Sequence, residues 1–134
     1  MAVGDSSVSI CSDALILLGA SPISSFTEGT DAALACDRLY PDLRDNIISN
    51  YMWTWSLKKT QLARLADAPT NEWKYAYQLP GDMLSGVVAL FTSSGTNQQP
   101  ANYGWEIYAD QLYTNFDTVY IDYQATVLES KMPV

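Results

Sequence analysis

The repeat of the apolar residues changes halfway along the chain, and that change limits the fold more than any single motif does. In the N-terminal half they recur every three or four residues, first as Val8, Cys11, Leu15 and Leu18, then as Ala33, Cys36, Tyr40, Leu43, Ile47 and Tyr51. This spacing follows the 3.6-residue turn of an α-helix and predicts two amphipathic helices. In the C-terminal half the repeat is two. Tyr75, Tyr77 and Leu79 alternate with Ala76 and Gln78, and Val119, Ile121, Tyr123, Ala125 and Val127 alternate with Tyr120, Asp122, Gln124 and Thr126. Successive side chains of a strand point to opposite faces, so these stretches are expected to be strands with one buried face. Residues 105–108 and 112–114 flank Ala109-Asp110-Gln111 as the arms of a hairpin would. Helices first and strands after them make an α+β fold, an N-terminal helical hairpin or bundle followed by a small antiparallel β-sheet.

Local signals mark the element ends. Ser6 or Ser7 can cap the first helix, Gly19 with Pro22 beyond it ends that helix, and Thr30 with Asp31 behind it starts the second. Pro41 lies inside the second pattern, where it lacks the N–H that would bond to Asp37 and crowds that carbonyl, so a kink or two helices meeting end to end is expected. Facing apolar stripes would bury both Cys11 and Cys36. Beyond the aromatic run at 52–55, Leu57, Leu62 and Leu65 stand in a basic stretch with Lys58, Lys59 and Arg64, and periodicity does not separate strand from helix there. The 134 residues fit a single domain, with 1–72 mainly helical and 73–134 mainly antiparallel strand. Residues 92–104 form an uncharged run rich in Ser, Gly, Asn and Gln, a loop long enough to be functional or disordered.

Composition removes several kinds of chemistry. The chain has no histidine, so it cannot build a His-based triad, a His-rich zinc site or an imidazole base. Its two cysteines are too few for a disulfide framework and form no CxxC pair, which fits a reducing place of assembly. Asp42 and Asp45 share a helix face, but with Arg38 and Arg44 beside them they read as a solvated surface of ordinary ion pairs rather than a carboxylate pair for catalysis. Cys11 on an apolar stripe reads as core, and the glycines make no phosphate loop. The apolar runs at 14–18 and 87–91 fall far short of the roughly 20 residues of a membrane span, and no charged leader followed by an apolar core marks a secretory signal. No enzyme activity and no cofactor or metal is expected.

The run Ala14-Leu15-Ile16-Leu17-Leu18-Gly19-Ala20-Ser21-Pro22-Ile23-Ser24-Ser25, the acidic linker to Asp31-Ala32-Ala33, the helix closing near Trp53, the Leu57-Lys58-Lys59-Thr60-Gln61-Leu62 segment and Tyr75-Ala76-Tyr77-Gln78-Leu79-Pro80 resemble the tail tubular protein A family of short-tailed bacteriophages. The resemblance covers most of residues 8 to 128. It implies a non-enzymatic virion protein of the tail or neck, assembled in the bacterial cytoplasm, a head-to-tail adaptor or gatekeeper of which twelve copies form a ring. That ring would join the portal protein to the tail nozzle protein and extend the DNA channel. Members of that family continue after a segment like residues 129–133 into further helices that dock on the portal. A chain without them is expected to be shortened or to dock differently.

A closed ring built head to tail needs two different complementary patches on each copy. The second helix with Asp42, Arg44 and Asp45 supplies one candidate, and Lys58, Lys59, Arg64 and Lys74, four of the seven basic residues, would meet an acidic neighbour. The adaptable loop with Asn97, Gln98, Gln99 and Tyr103, together with Tyr120 of the tyrosine-rich strands, supplies the other. A small soluble binding or regulatory module whose polar loop recognises a partner is the alternative. The balance of 7 Lys and Arg against 15 Asp and Glu, a net charge of -8, bears on nucleic acid under either reading. Duplex affinity rests largely on neutralising phosphates, and this chain's field repels them. The isolated protein is expected to show no measurable duplex binding at physiological salt in a fluorescence anisotropy titration, and nanomolar affinity would refute that.

Overall fold

The computed structural model describes residues 5–95 and 98–133. Two helices, α1 (Ser7–Leu17) and α2 (Asp31–Ser49), precede six strands, β1 (Leu57–Gln61), β2 (Tyr75–Gln78), β3 (Met83–Phe91), β4 (Trp105–Tyr108), β5 (Gln111–Thr114) and β6 (Tyr120–Ala125). The α+β class is as the hydrophobic periods dictate, but the strands form two three-stranded antiparallel sheets, ordered β1-β6-β3 and β2-β5-β4. The chain divides into two units. One holds residues up to Trp55 together with Thr126 onward, and the other holds Ser56–Ala125. The first 72 residues therefore contribute β1 to the sheets, and the last residues return to the helices.

In the helical unit the caps follow from the sequence. Ser6 caps α1 through a reciprocal pair, the Ser9 N–H donating to Ser6 Oγ at 3.2 Å and the Ser6 N–H to Ser9 Oγ at 2.9 Å. Gly19, at φ +81°, ends the helix by letting the chain turn left-handed, so that the Gly19 and Ala20 N–H groups reach the carbonyls of Ile16 and Leu15. The linker is fastened to α1 by Ser12, whose hydroxyl donates to the Ile23 carbonyl at 2.7 Å and accepts from the Ile23 N–H. Thr30 Oγ1 caps α2 by accepting the Ala33 N–H. Cys11, Ile23 and Ala33 form a small buried cluster that Val8, Leu15, Phe26, Cys36 and Tyr40 complete.

Three expectations for this unit are corrected. The helix α2 continues through Pro41 as one element of 19 residues rather than two helices meeting end to end, because losing one backbone hydrogen bond costs less than breaking a helix whose inner face is packed. Leu18, Leu43, Ile47 and Tyr51 are exposed, by 82%, 58%, 63% and 63%, while Ile48 is buried. A 3.6-residue turn carries the inner face from Tyr40 to Arg44 and Ile48, so a stripe read at uniform three-or-four spacing drifts off it. Cys36 is half-buried rather than buried, and both cysteines are free thiols. Burial, reinforced by a hydrogen bond with Cys36, pushes the Cys11 thiol up to about 11, so it stays protonated.

In the strand unit, β6 is the central strand of its sheet, and its alternation is the one the sequence shows. Val119, Ile121, Tyr123 and Ala125 join Leu62, Tyr77, Leu90 and Leu112 in one core. The undecided stretch after Trp55 is β1, paired with β6 from Leu57 opposite Gln124 to Gln61 opposite Tyr120. The strand β3, which periodicity does not reveal, contacts β6 with two register irregularities that interrupt its alternation. The 105–108 and 111–114 arms form the expected hairpin, with Ala109 at φ 54° in its turn. Residues 98–104 are partly fastened, since the Ala101 N–H donates to the Leu90 carbonyl at 2.7 Å, Trp105 Nε1 donates to the Ala101 carbonyl at 2.7 Å, and Gly104 (φ +87°) lies against Phe116.

The opposite face of β6 holds a buried amide. Gln124 has no exposed surface, its Nε2 donates to Ser56 Oγ at 3.0 Å, and its Oε1 accepts from Ser85 Oγ at 3.1 Å. Replacing Gln124 with Leu removes the group that both hydroxyls share. It is expected to cost about 1–3 kcal/mol of stability, read from the denaturant midpoint, and an unchanged midpoint would contradict this account.

Candidate interaction surfaces

The inner face of α2 carries a polar network where the helical pattern calls for an apolar residue. Arg44 points inward with its side chain 19% exposed, its Nη1 donating to Glu129 Oε1 at 3.0 Å and its Nε to Asp45 Oδ1 at 3.1 Å. The Tyr40 hydroxyl donates to the same Glu129 oxygen at 3.0 Å, and the Thr126 hydroxyl donates to Asp45 at 3.0 Å. Burial alone would raise the Glu129 carboxyl. The hydrogen bonds from its own backbone N–H, Arg44 and Tyr40 outweigh that effect and hold it below the usual carboxylate range. The Tyr40 hydroxyl is raised by burial and by donating to Glu129. Arg44 and Asp45 are thus internal clamps on the 126–133 segment rather than members of a solvated face, because Glu129 needs a cation as soon as it is buried. Asp42 remains exposed on the outer side.

In the strand unit the basic pair is also engaged within the chain. Lys58 donates to Asp82 at 2.8 Å, and the Tyr123 hydroxyl donates to the other Asp82 oxygen at 2.9 Å, which together hold that carboxyl low. Lys59 pairs with Asp122 at 2.6 Å and lies 4.2 Å from the centre of the Phe91 ring. The structure brings Lys59, Gln98 and Tyr120 together with Phe91, Ser93, Ser94 and Gly95 around one open cavity of about 330 Å³. Gln99 and Tyr103 are exposed beyond it, and Asn97 lies outside the described residues.

Two surfaces group residues in a way that sequence reasoning did not. On the outer side of α2, Leu39, Leu43 and Ile47 lie exposed four residues apart, which aligns them along the helix, and exposed Tyr51, Met52 and Trp53 follow. Tyr51 and Trp53 contact at 4.6 Å between ring centres, and Trp53 stacks on Trp55 at 5.8 Å. The other surface surrounds Tyr75, whose ring centre has Arg64 Cζ at 4.6 Å and Lys74 Nζ at 5.4 Å. The apolar count on α2 gives a signal for the first, since the helix has more large apolar residues than one inner stripe uses. For the second, Lys74 is the sequence neighbour of Tyr75, whereas Arg64 comes to the ring only through its pairing with the β2 strand.

Among the described residues no group of three or more His, Cys, Asp or Glu side chains is placed to hold a metal ion, and no helix is long and apolar enough to cross a membrane. The chain matches no known family in a comparison with family profiles, and no curated protein is significantly similar to it in sequence.

The Glu129 network has a defined pH signature. Its folded-state carboxyl is depressed, so its contribution is fully present above the unfolded value, near 4.3 for a glutamate, and is lost as pH falls through the folded value. Glu129→Gln is expected to lower stability by about 1–3 kcal/mol at neutral pH, with the difference from wild type shrinking below about pH 4. Thermal melts of both proteins between pH 7 and pH 3 check this. A difference that stays constant across the range would exclude the ionised Glu129 as its source.

Proposed function

We propose that the chain is a non-enzymatic structural adaptor of a phage virion, twelve copies of which form a ring between the portal and the tail nozzle and extend the DNA channel. The observation that carries this reading is the outer band of α2, where Leu39, Leu43, Ile47, Tyr51, Met52 and Trp53 are left uncovered within the helical unit. A contiguous apolar surface of this kind marks a place that another protein covers. Its aromatic members are of the types that dominate binding energy at interfaces. The residues that resemble the tail tubular protein A family supply the kind of assembly, and the charge of -8 suits a ring through which DNA passes without being held. The cavity of Lys59, Gln98 and Tyr120 favours the second reading, a small soluble module whose polar loop recognises a partner.

Native mass measurement separates the two, run on the chain alone at rising concentration and on a portal ring. The adaptor should be captured as about twelve copies on a portal, as its resemblance implies, whereas the module stays a monomer or dimer throughout. Leu43→Asp with Ile47→Asp is expected to abolish that assembly and shift stability by no more than about 0.5 kcal/mol, since both positions are exposed in the single chain. If the double variant still assembles at the wild-type concentration, the α2 band is not the joining surface.

A further inference from the structure

The strand unit contains four cations, and two of them are already neutralised, Lys58 by Asp82 and Lys59 by Asp122. Arg64 and Lys74 differ. Both are exposed, both lie against the Tyr75 ring, and among the described residues neither has a carboxylate within 4.0 Å. Asp67 lines the open cavity of about 210 Å³ that Arg64, Lys74 and Tyr75 share, yet it pairs with neither cation. Asp117 lines a neighbouring cavity on Arg64 and is likewise unpaired with it.

The arrangement is held by backbone rather than by the side chains alone. Arg64 forms a β-bridge with Tyr77, the Leu65 N–H donates to the Ala76 carbonyl at 2.8 Å, and the Lys74 N–H donates to Asn115 Oδ1 at 2.8 Å. Tyr75 is fixed opposite Thr114 in the sheet. Two like charges held at one ring repel each other, and a carboxylate entering the cavity that both line would offset that repulsion while accepting their N–H groups.

We propose that Arg64, Lys74 and Tyr75 form a socket for a carboxylate of a second copy of this chain, and that Asp42 of that copy fills it. The proposal rests on the ring-forming reading above. The helical unit carries eight Asp and Glu against three Lys and Arg, so a neighbouring copy is the wrong sign for Asp42 everywhere except at cationic sites such as this one. Asp42 is exposed, has no ion pair among the described residues, and lies beside Leu39 and Leu43 of the uncovered band, so an ionic contact there continues the apolar one. Socket and carboxylate are different groups, so one copy can offer Asp42 to the next while its own socket receives another, as a head-to-tail contact requires.

Complementary charge reversal tests it on the full chain, with assembly followed by sedimentation velocity and on an immobilised portal ring. Arg64→Gln with Lys74→Gln should raise the concentration for half-assembly about tenfold or more, with an unchanged circular dichroism spectrum and melting temperature. Arg64→Glu with Lys74→Glu should fail to assemble alone, as should Asp42→Lys. Mixed in equal amounts, these two reversed proteins should assemble again as alternating copies, since each socket then meets an opposite charge. Wild-type assembly unaffected by the Gln variant, or a mixture that stays unassembled, overturns the socket and leaves the ring reading standing. Wild type that stays monomeric in both settings overturns the ring reading and the socket with it. Binding of a single-stranded oligonucleotide that the Gln variant loses would reassign the socket to nucleic acid and also overturn the proposal.

Discussion

The pairing of β6 on both of its edges governs the strand unit. Its backbone bonds to β1 on one side and β3 on the other, so the last strand in sequence is the middle strand in space. Its two faces are packed unequally. One face carries Val119, Ile121, Tyr123 and Ala125 into the apolar core, and the other carries Gln124, whose amide is bonded by Ser56 and Ser85. A buried amide with both ends bonded fixes register, because a slip of one residue would exchange the amide for Tyr123 or Ala125 and strand it in the core.

The segment after β6 does a comparable job for the helices. Glu129 is separated by 85 residues from Arg44 and by 89 from Tyr40, yet all three meet at one carboxylate oxygen. The inner face of α2 is therefore part apolar, through Ala33, Cys36 and Ile48, and part ionic. Burying Arg44 and Glu129 together avoids the large cost of burying either alone, while neither adds the transfer free energy that a leucine would. The helical unit consequently buries few large apolar side chains, and those it does not bury are on its outside.

That leftover apolar surface and the distribution of charge point the same way. The paired cations Lys58 and Lys59 sit on β1, an edge strand, where charged side chains discourage chance strand pairing. The surfaces proposed above for contact with other proteins are the exposed outer band of α2 and the cavity of Arg64, Lys74 and Tyr75. A surface that is apolar at one place and charged at another can be both adhesive and selective, because the ionic part penalises wrong registers.

The sequence by itself determined the class of fold, the caps of both helices, the 105–114 hairpin and the inward residues of β6, since each depends on periodicity or on chemistry a few residues apart. It also placed Cys11 in a core without needing its partners. Only the tertiary structure decided that α2 continues through Pro41 as one helix, that Arg44 and Asp45 turn toward the 126–133 segment, and that Leu43 and Ile47 turn outward. Which side of a helix is inner is set by what packs on it, here a segment more than 80 residues away. The same holds for β3, whose alternation is broken by its irregular pairing with β6, and for the socket at Tyr75, where strand pairing brings Arg64 to the ring beside Lys74. Short-range patterns record the local free energy of each segment, and these features arise from long-range contacts that no local pattern encodes.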